Sequence, residues 1–270
     1  MDLDTSVAHP ARVYDFWLGG KDNFAVDRQA ARDAIAAFPG VIRGVRANRS
    51  FLGRAVRFLA AEAGIRQLLD IGTGLPTADN THEVAQQIDP SCRVVYADND
   101  PIVLNHARAL LTGSAGTTSY VDADIRDTGK ILSQAAEQLD FHLPAAVILL
   151  GILQLIPDAD DPYAIVNRLT EALSPGSYLV ISHPTGDIDS DAMTEMARRL
   201  NERSAPAQMT LRTHEQIARF FDGLDLIEPG LVPVNRWRPA KEGVQDPRDV
   251  PNFCAIARKS SASLRRLRNS

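Results

Sequence analysis

The sequence predicts a doubly wound, mostly parallel α/β sheet of seven strands with an N-terminal helical extension. Three observations carry this. From about residue 64, short apolar runs alternate with helical segments. Several runs, "AAVILLG" and "SYLVISH" among them, are nearly continuous in Val, Ile and Leu, as strands covered on both faces are. The first run ends in a glycine turn that opens a helix, as a βαβ crossover requires.

The elements follow in order. "RQLLDIG" (66–72) reads as the first strand and "TADNTHEVAQQI" (77–88) as its crossover helix. "CRVVYAD" (92–98) is the second strand, and "PIVLNHARALL" (101–111) a helix with Pro101 in its first turn, where the missing N–H costs nothing. "TTSYVDAD" (117–124), "AAVILLG" (145–151) and "SYLVISH" (177–183) are strands three to five, separated by helices over 128–139 and 162–173. "DAMTEMARRLNERS" and "THEQIARFF" are helical, and "LDLIEPGLVPV" and "NFCAIARK" close the sheet as two late strands. Residues 1–63 read as a helical lid or cap, 64–260 as the sheet domain and 261–270 as a basic, disordered tail.

Composition sets limits. A chain of 270 residues with 44% hydrophobic and 23% charged side chains can bury a full core without staples. A net charge of −5 argues against nucleic acid as the main partner. Cys92 and Cys254 lie in separate apolar runs and form neither a disulfide framework nor a metal site. No run reaches the ~18 apolar residues of a membrane span. These features point to a cytoplasmic protein with no metal and no membrane partner; they assign no oligomeric state.

The main functional signal is "LLDIGTGLPTADN". Gly72 and Gly74 let the backbone turn tightly and a ligand lie on bare main chain, outside the carboxyl ends of the strands. The dinucleotide pattern G-x-G-x-x-G is not met, because Thr77 holds the third position. Acids follow strands one, two and three: Asp70, then Asp98 and Asp100, then Asp124. They suit a ligand with a cationic head, a sugar diol and an exocyclic amine, and would repel a pyrophosphate. Helix caps and turn acids are the alternative for any one of them.

"LLDIGTG", "VVYADND", "YVDADIRD" and "ILLGILQLIPD" together resemble the cofactor motifs of Rossmann-like S-adenosylmethionine-dependent methyltransferases. "ARVYDFWLGGKDNFAVDR", "VRANRSFLGRAVRFLA" and "DIGTGLPTADNTHEVAQ" are similar, more narrowly, to a bacterial S-adenosyl methyltransferase family. The resemblance implies S-adenosyl-L-methionine as cofactor and a small-molecule acceptor. It implies that Asp70, Gly72, Thr73 and Gly74 meet the methionine and ribose, and that Asp98 binds the ribose hydroxyls. It further implies Asn99, Asp124 and Ile125 around the adenine, and Leu150 to Gln154, with Gly151, below the sulfonium. Pro76 departs from the general pattern, in which many relatives carry glycine.

The fourth strand ends in "LLGILQLIPD" rather than an Asn/Asp-Pro-Pro-Tyr run, which counts against adenine or amide acceptors. Gln154 can orient an acceptor but is a poor base. His183, after "YLVIS", is the base candidate, with a strand-end histidine as the alternative; His82 and His106 are read as helix residues. On a helical wheel of "VIRGVRANRSFLGRAVRFLA", Asn48 and Arg49 fall on or beside the apolar face and need partners in the core or in a ligand. The opening stretch is read as a cover over the methyl-donor site, with a packed cap as the alternative. Tyr14 and Trp17 supply aromatic faces, Gly19 and Gly20 a turn, and Lys21, Asp22 and Asn23 polar tips. A cofactor-binding regulator without turnover and an NAD(P)-dependent oxidoreductase stay open beside the enzyme.

Overall fold

The computed structural model describes residues 5–75, 79–103, 105, 117–204, 208–239 and 248–260. The expected tail, Pro76, Thr77 and His106 lie outside them.

Three helices open the chain: α1 (Pro10–Leu18), α2 (Ala25–Ala37) and α3 (Val41–Arg57), the last running on into a π turn at Phe58–Glu62. The first two starts have a local cause. Pro10 stands at the first position of α1, where its missing N–H costs nothing. Asp27 reaches back to the Phe24 N–H at 2.8 Å and starts α2. Then come β1 (Gln67–Ile71), α4 (Thr81–Ile88), β2 (Arg93–Asp98), β3 (Thr118–Asp122), α5 (Thr128–Ala135), β4 (Ala146–Leu150), α6 (Pro162–Glu171) and β5 (Tyr178–Pro184). The chain ends with α7 (Ser190–Arg203), α8 (His214–Ala218), β6 (Asp225–Leu226), β7 (Val232–Pro233) and β8 (Asn252–Arg258).

The strand order is β3-β2-β1-β4-β5-β8-β6, with β7 also on β8. β1 to β5 are parallel and β8 runs antiparallel to β5, pairing Tyr178 with Arg258 and Pro184 with Asn252. Among the described residues the mostly parallel sheet is the expected one, with its last edge strand beside β8 split into two short pieces to give eight. Pro229, between those pieces, has no N–H to donate to a ladder.

One core layer sets β1, β4 and β5 against α5 and α6, through Leu69, Val147, Ile131 and Leu169. The other sets α3 on the opposite face, through Phe51, Val56, Leu68 and Ile148. The expected division at residue 63 therefore falls inside a shared core. A third cluster joins α1, α2 and α7 through Val13, Trp17, Ala31, Ala34, Met193 and Met196. This cap sits above the carboxyl ends of the strands, where the order reverses between β1 and β4.

Candidate active site

A cavity of about 360 Å³ opens at that reversal, within the range of small-molecule sites. The turn after β1 forms its floor. Gly72 has φ +74° and Gly74 φ +63°, which a side chain tolerates poorly. A Cβ on Gly72 would come within 2.6 Å of the Ile152 side chain, so the approach of the β1 and β4 turns itself requires glycine.

The acids separate by role. Asp70, at the end of β1, accepts the Thr81 hydroxyl at 2.6 Å. Burial raises its pKa from 3.8 to about 6, opposed by the Thr81 bond and the positive charge of Arg49. Asp98 accepts the Gly74 N–H at 2.9 Å and the Asp100 N–H at 3.0 Å, and burial raises its pKa too. Asp124 accepts the Asn99 amide at 3.0 Å and Arg126 Nη1 on both carboxylate oxygens at 3.2 and 3.0 Å, and Ile125 is buried beside it. Asp100 belongs elsewhere. Fully buried, it holds His9 Nδ1 at 2.9 Å and faces Arg12 Nε at 3.6 Å, which fastens the N-terminal cap to the loop after β2. Asp27 takes the His9 N–H at 2.9 Å and makes the cap's second anchor.

Asp70, Gly72, Thr73, Gly74, Asp98, Asn99, Asp124, Ile125 and Gly151 all line the one cavity, and so do Gln154, Asn48, Arg49, Tyr14 and Trp17. Arg49 donates to the Asp79 carbonyl and to Asn80 Oδ1, the cap of α4. Tyr14 donates to the Val45 carbonyl at 3.4 Å and accepts from Asn48 Nδ2 at 3.1 Å. Burial raises its pKa, so at neutral pH it is a phenol and not a base. His82 bonds to the Tyr96 hydroxyl at 2.8 Å, a packing role.

Two expectations need correction. His183 is fully buried and does not line the cavity. Its Nδ1 lies 2.7 Å from the Pro184 carbonyl and its Nε2 2.8 Å from an Arg212 guanidinium nitrogen. Burial lowers its pKa to about 3, so the ring is neutral with both nitrogens occupied. It packs the strand end and cannot reach an acceptor's proton. The turn Gly19, Gly20, Lys21, Asp22 and Asn23 does not line the cavity either. It closes on Asp15, which accepts the Asp22 N–H at 3.0 Å and the Asn23 amide at 2.7 Å. A Cβ on Gly20 would strike the Asp15 carboxylate, so that glycine serves a buried knot, while Lys21 and Asp22 point outward. The face of α1 with Val13, Tyr14 and Trp17 reaches the cavity instead.

Three contributors were missed in the sequence: the His9–Asp100 latch, Arg212 beneath the β4 turn, and the methionines of α7. Met193 and Met196 stand at helical spacing, a signal shared with any core helix. Among the described residues no cluster of three or more metal-ligating side chains occurs, and no helix is long and apolar enough to cross a membrane.

A family model described as S-adenosyl methyltransferase matches residues 1–260. The crystal structure of a DUF574 family protein from Streptomyces avermitilis MA-4680 is 42% identical over 96% of this chain and 100% of that one, with a TM-score of 0.91. A second, from Thermobifida fusca YX, is 42% identical over 96% and 97% of the two chains, with a TM-score of 0.89. The carboxy-S-adenosyl-L-methionine synthase of Klebsiella pneumoniae (strain 342) is 29% identical over 119 residues, 43% of this chain and 42% of that protein. The match thus spans less than half the length of that curated relative.

Proposed function

We propose, from the premise that the chain belongs to the S-adenosyl methyltransferase family, that it transfers the methyl group of S-adenosylmethionine to a small-molecule acceptor. The observation that carries the reading is the row of three acids over a glycine turn at the strand-order reversal. The residues fit the donor. Gly74 has open space where a Cβ would stand, leaving bare backbone for a ligand. Asp70 meets the methionine ammonium and Asp98 the ribose diol. Asn99, Asp124 and Ile125 frame the adenine. No element of this row suits a pyrophosphate, and neither the dinucleotide reading nor the regulator has an observation in its favour.

When bound, the sulfonium donor supplies an electrophilic methyl group. The chain's own contribution is alignment and exclusion of water. α1, clamped by His9 on Asp100 and by Arg12 beside Asp27, covers the strand ends. Beneath it, Tyr14 stays protonated and the Gln154 amide is too weak a base to take a proton. The acceptor is therefore activated by position and desolvation, and neither side chain takes its proton.

Thermal shift tests the reading. S-adenosylmethionine or S-adenosylhomocysteine at about 100 times its Kd adds about 2.7 kcal/mol, a rise of several degrees. NADH should give none. A rise with NADH and none with either sulfur ligand overturns the proposal. Turnover, measured as S-adenosylhomocysteine released, separates enzyme from regulator.

The pKa of Asp70 adds a pH signature. Only its carboxylate attracts an ammonium, and the free protein holds the proton below about pH 6. Affinity for S-adenosylhomocysteine should therefore fall as pH drops through 6, and calorimetry across that range reads it. Stability runs the other way. The folded state holds this proton more tightly than the unfolded chain, so the stabilisation is present at low pH and lost as pH rises through about 6. Asp70→Asn should accordingly melt higher than the parent above pH 6 in the absence of ligand.

A further inference from the structure

The cavity has two halves of opposite chemistry. Its acidic, guanidinium and imidazole lining side chains are Arg49, Asp70, Asp98, Asp124, Arg126 and His9. Each belongs to a strand-end loop or bonds to one. The half beneath α1, α2 and α7 is different. Trp17, Phe38, Val41, Met193, Met196 and Met209 line it, and among the described residues it holds no charge. Its polar atoms are largely spent: Trp17 Nε1 donates to the Ala31 carbonyl at 3.2 Å, and the Ser204 hydroxyl to the Ala8 carbonyl at 3.0 Å.

The exceptions stand where the halves meet. Gln154 Nε2 donates to the Gly151 carbonyl at 2.6 Å, and Asn48 Nδ2 to a Tyr14 hydroxyl whose own proton goes to Val45. Those bonds set which way each amide points. Both leave a buried oxygen, Gln154 Oε1 and Asn48 Oδ1, with no donor. Asn252, also lining the cavity, adds Oδ1 in the same condition. A position for a Cβ on Gly151 lies 3.7 Å from the Gln154 amide and 3.8 Å from that of Asn48, so the pair flanks the end of β4. An orphaned buried acceptor costs about 1–3 kcal/mol, recovered by a ligand that brings a donor.

We propose, resting on the methyl-donor reading above, that the apolar half is the acceptor subsite. It takes an uncharged, mainly apolar, ring-bearing molecule whose single O–H or N–H is held by Asn48 and Gln154. An ionised acceptor would lose its hydration with no counter-charge to replace it. Methionines and aromatic edges suit a flat ring and adapt to its shape. The lone pair of the held oxygen or nitrogen forms the bond to the methyl carbon. The carbon–sulfur bond breaks with its electrons passing to sulfur, and the O–H or N–H proton goes to water.

The test uses the full chain loaded with S-adenosylhomocysteine and three probes of one size, titrated by calorimetry. 2-Naphthol is neutral with a donor, 2-methoxynaphthalene neutral without one, and 6-hydroxy-2-naphthoate carries a charge. Naphthol should bind about 10-fold or more tightly than either of the others. Asn48→Leu should erase its advantage over the methoxy probe and leave S-adenosylhomocysteine affinity within about twofold. Met196→Lys should instead favour the naphthoate. Three results overturn the inference while the donor reading stands: naphthoate binding as well as naphthol, no probe binding to the loaded protein, or Asn48→Leu weakening S-adenosylhomocysteine as much as naphthol. Failure of S-adenosylhomocysteine itself to bind removes both together.

Discussion

Replacing Asp98 with alanine is expected to weaken S-adenosylhomocysteine binding by about 100-fold or more and to abolish the thermal shift. Each hydrogen bond between a hydroxyl and an ionised group contributes about 1.5–3 kcal/mol, and a ribose diol offers two. The carboxylate also holds the Gly74 N–H, so its loss loosens the turn on which the ligand lies. Asp98→Asn separates the two effects. It keeps an oxygen for the Gly74 N–H but loses the acceptor of the Asp100 N–H, and its affinity should fall between parent and alanine. Undiminished affinity in Asp98→Ala, read by calorimetry, would show that the ribose is held elsewhere.

The largest effect on stability is expected at Arg212. This buried guanidinium donates to the carbonyls of Leu153 and Ile156 at 2.9 and 2.8 Å and to Asp158 at 2.7 Å, and it contacts His183 Nε2. Arg212→Ala leaves those acceptors without a donor and opens a gap over Phe220. The cost is about 3–5 kcal/mol, or roughly 10 °C in melting temperature. Arg212→Lys should recover little of it, because one ammonium cannot span a fork of acceptors on three elements. The turn it braces carries Gln154, whose carbonyl also receives the Thr210 N–H at 2.7 Å. A melting temperature within about 2 °C of the parent would show that water or a neighbouring side chain takes over the role.

Much of the fold is legible before any coordinates. The five parallel strands sit where the apolar runs place them; β1 and β5 are buried along their whole length, whereas the edge strand β3 is only partly covered. The late pair also lands as expected, although "LDLIEPGLVPV" breaks into two short pieces around Pro229. The acids at the strand ends converge on one cavity, since parallel strands with right-handed crossovers bring every carboxyl end to the same edge.

Residue types and spacings along the chain were enough for the sheet, the glycine turn and the acid row, because period, turn chemistry and strand ends are local properties. What lies between distant segments was decided only by the tertiary structure. "YLVISH" reads the same whether its histidine faces a ligand or an arginine 29 residues on, and packing assigns it to Arg212. "FWLGGKDN" reads as a flap until Asp15 draws its turn into a buried knot, leaving the aromatic face of the helix for the cavity. The helical wheel shows that Asn48 needs a partner, but not that its oxygen and that of Gln154 lack one. Whether a polar atom has a partner depends on burial and on contacts made across the fold, and neither is encoded in the order of neighbouring residues.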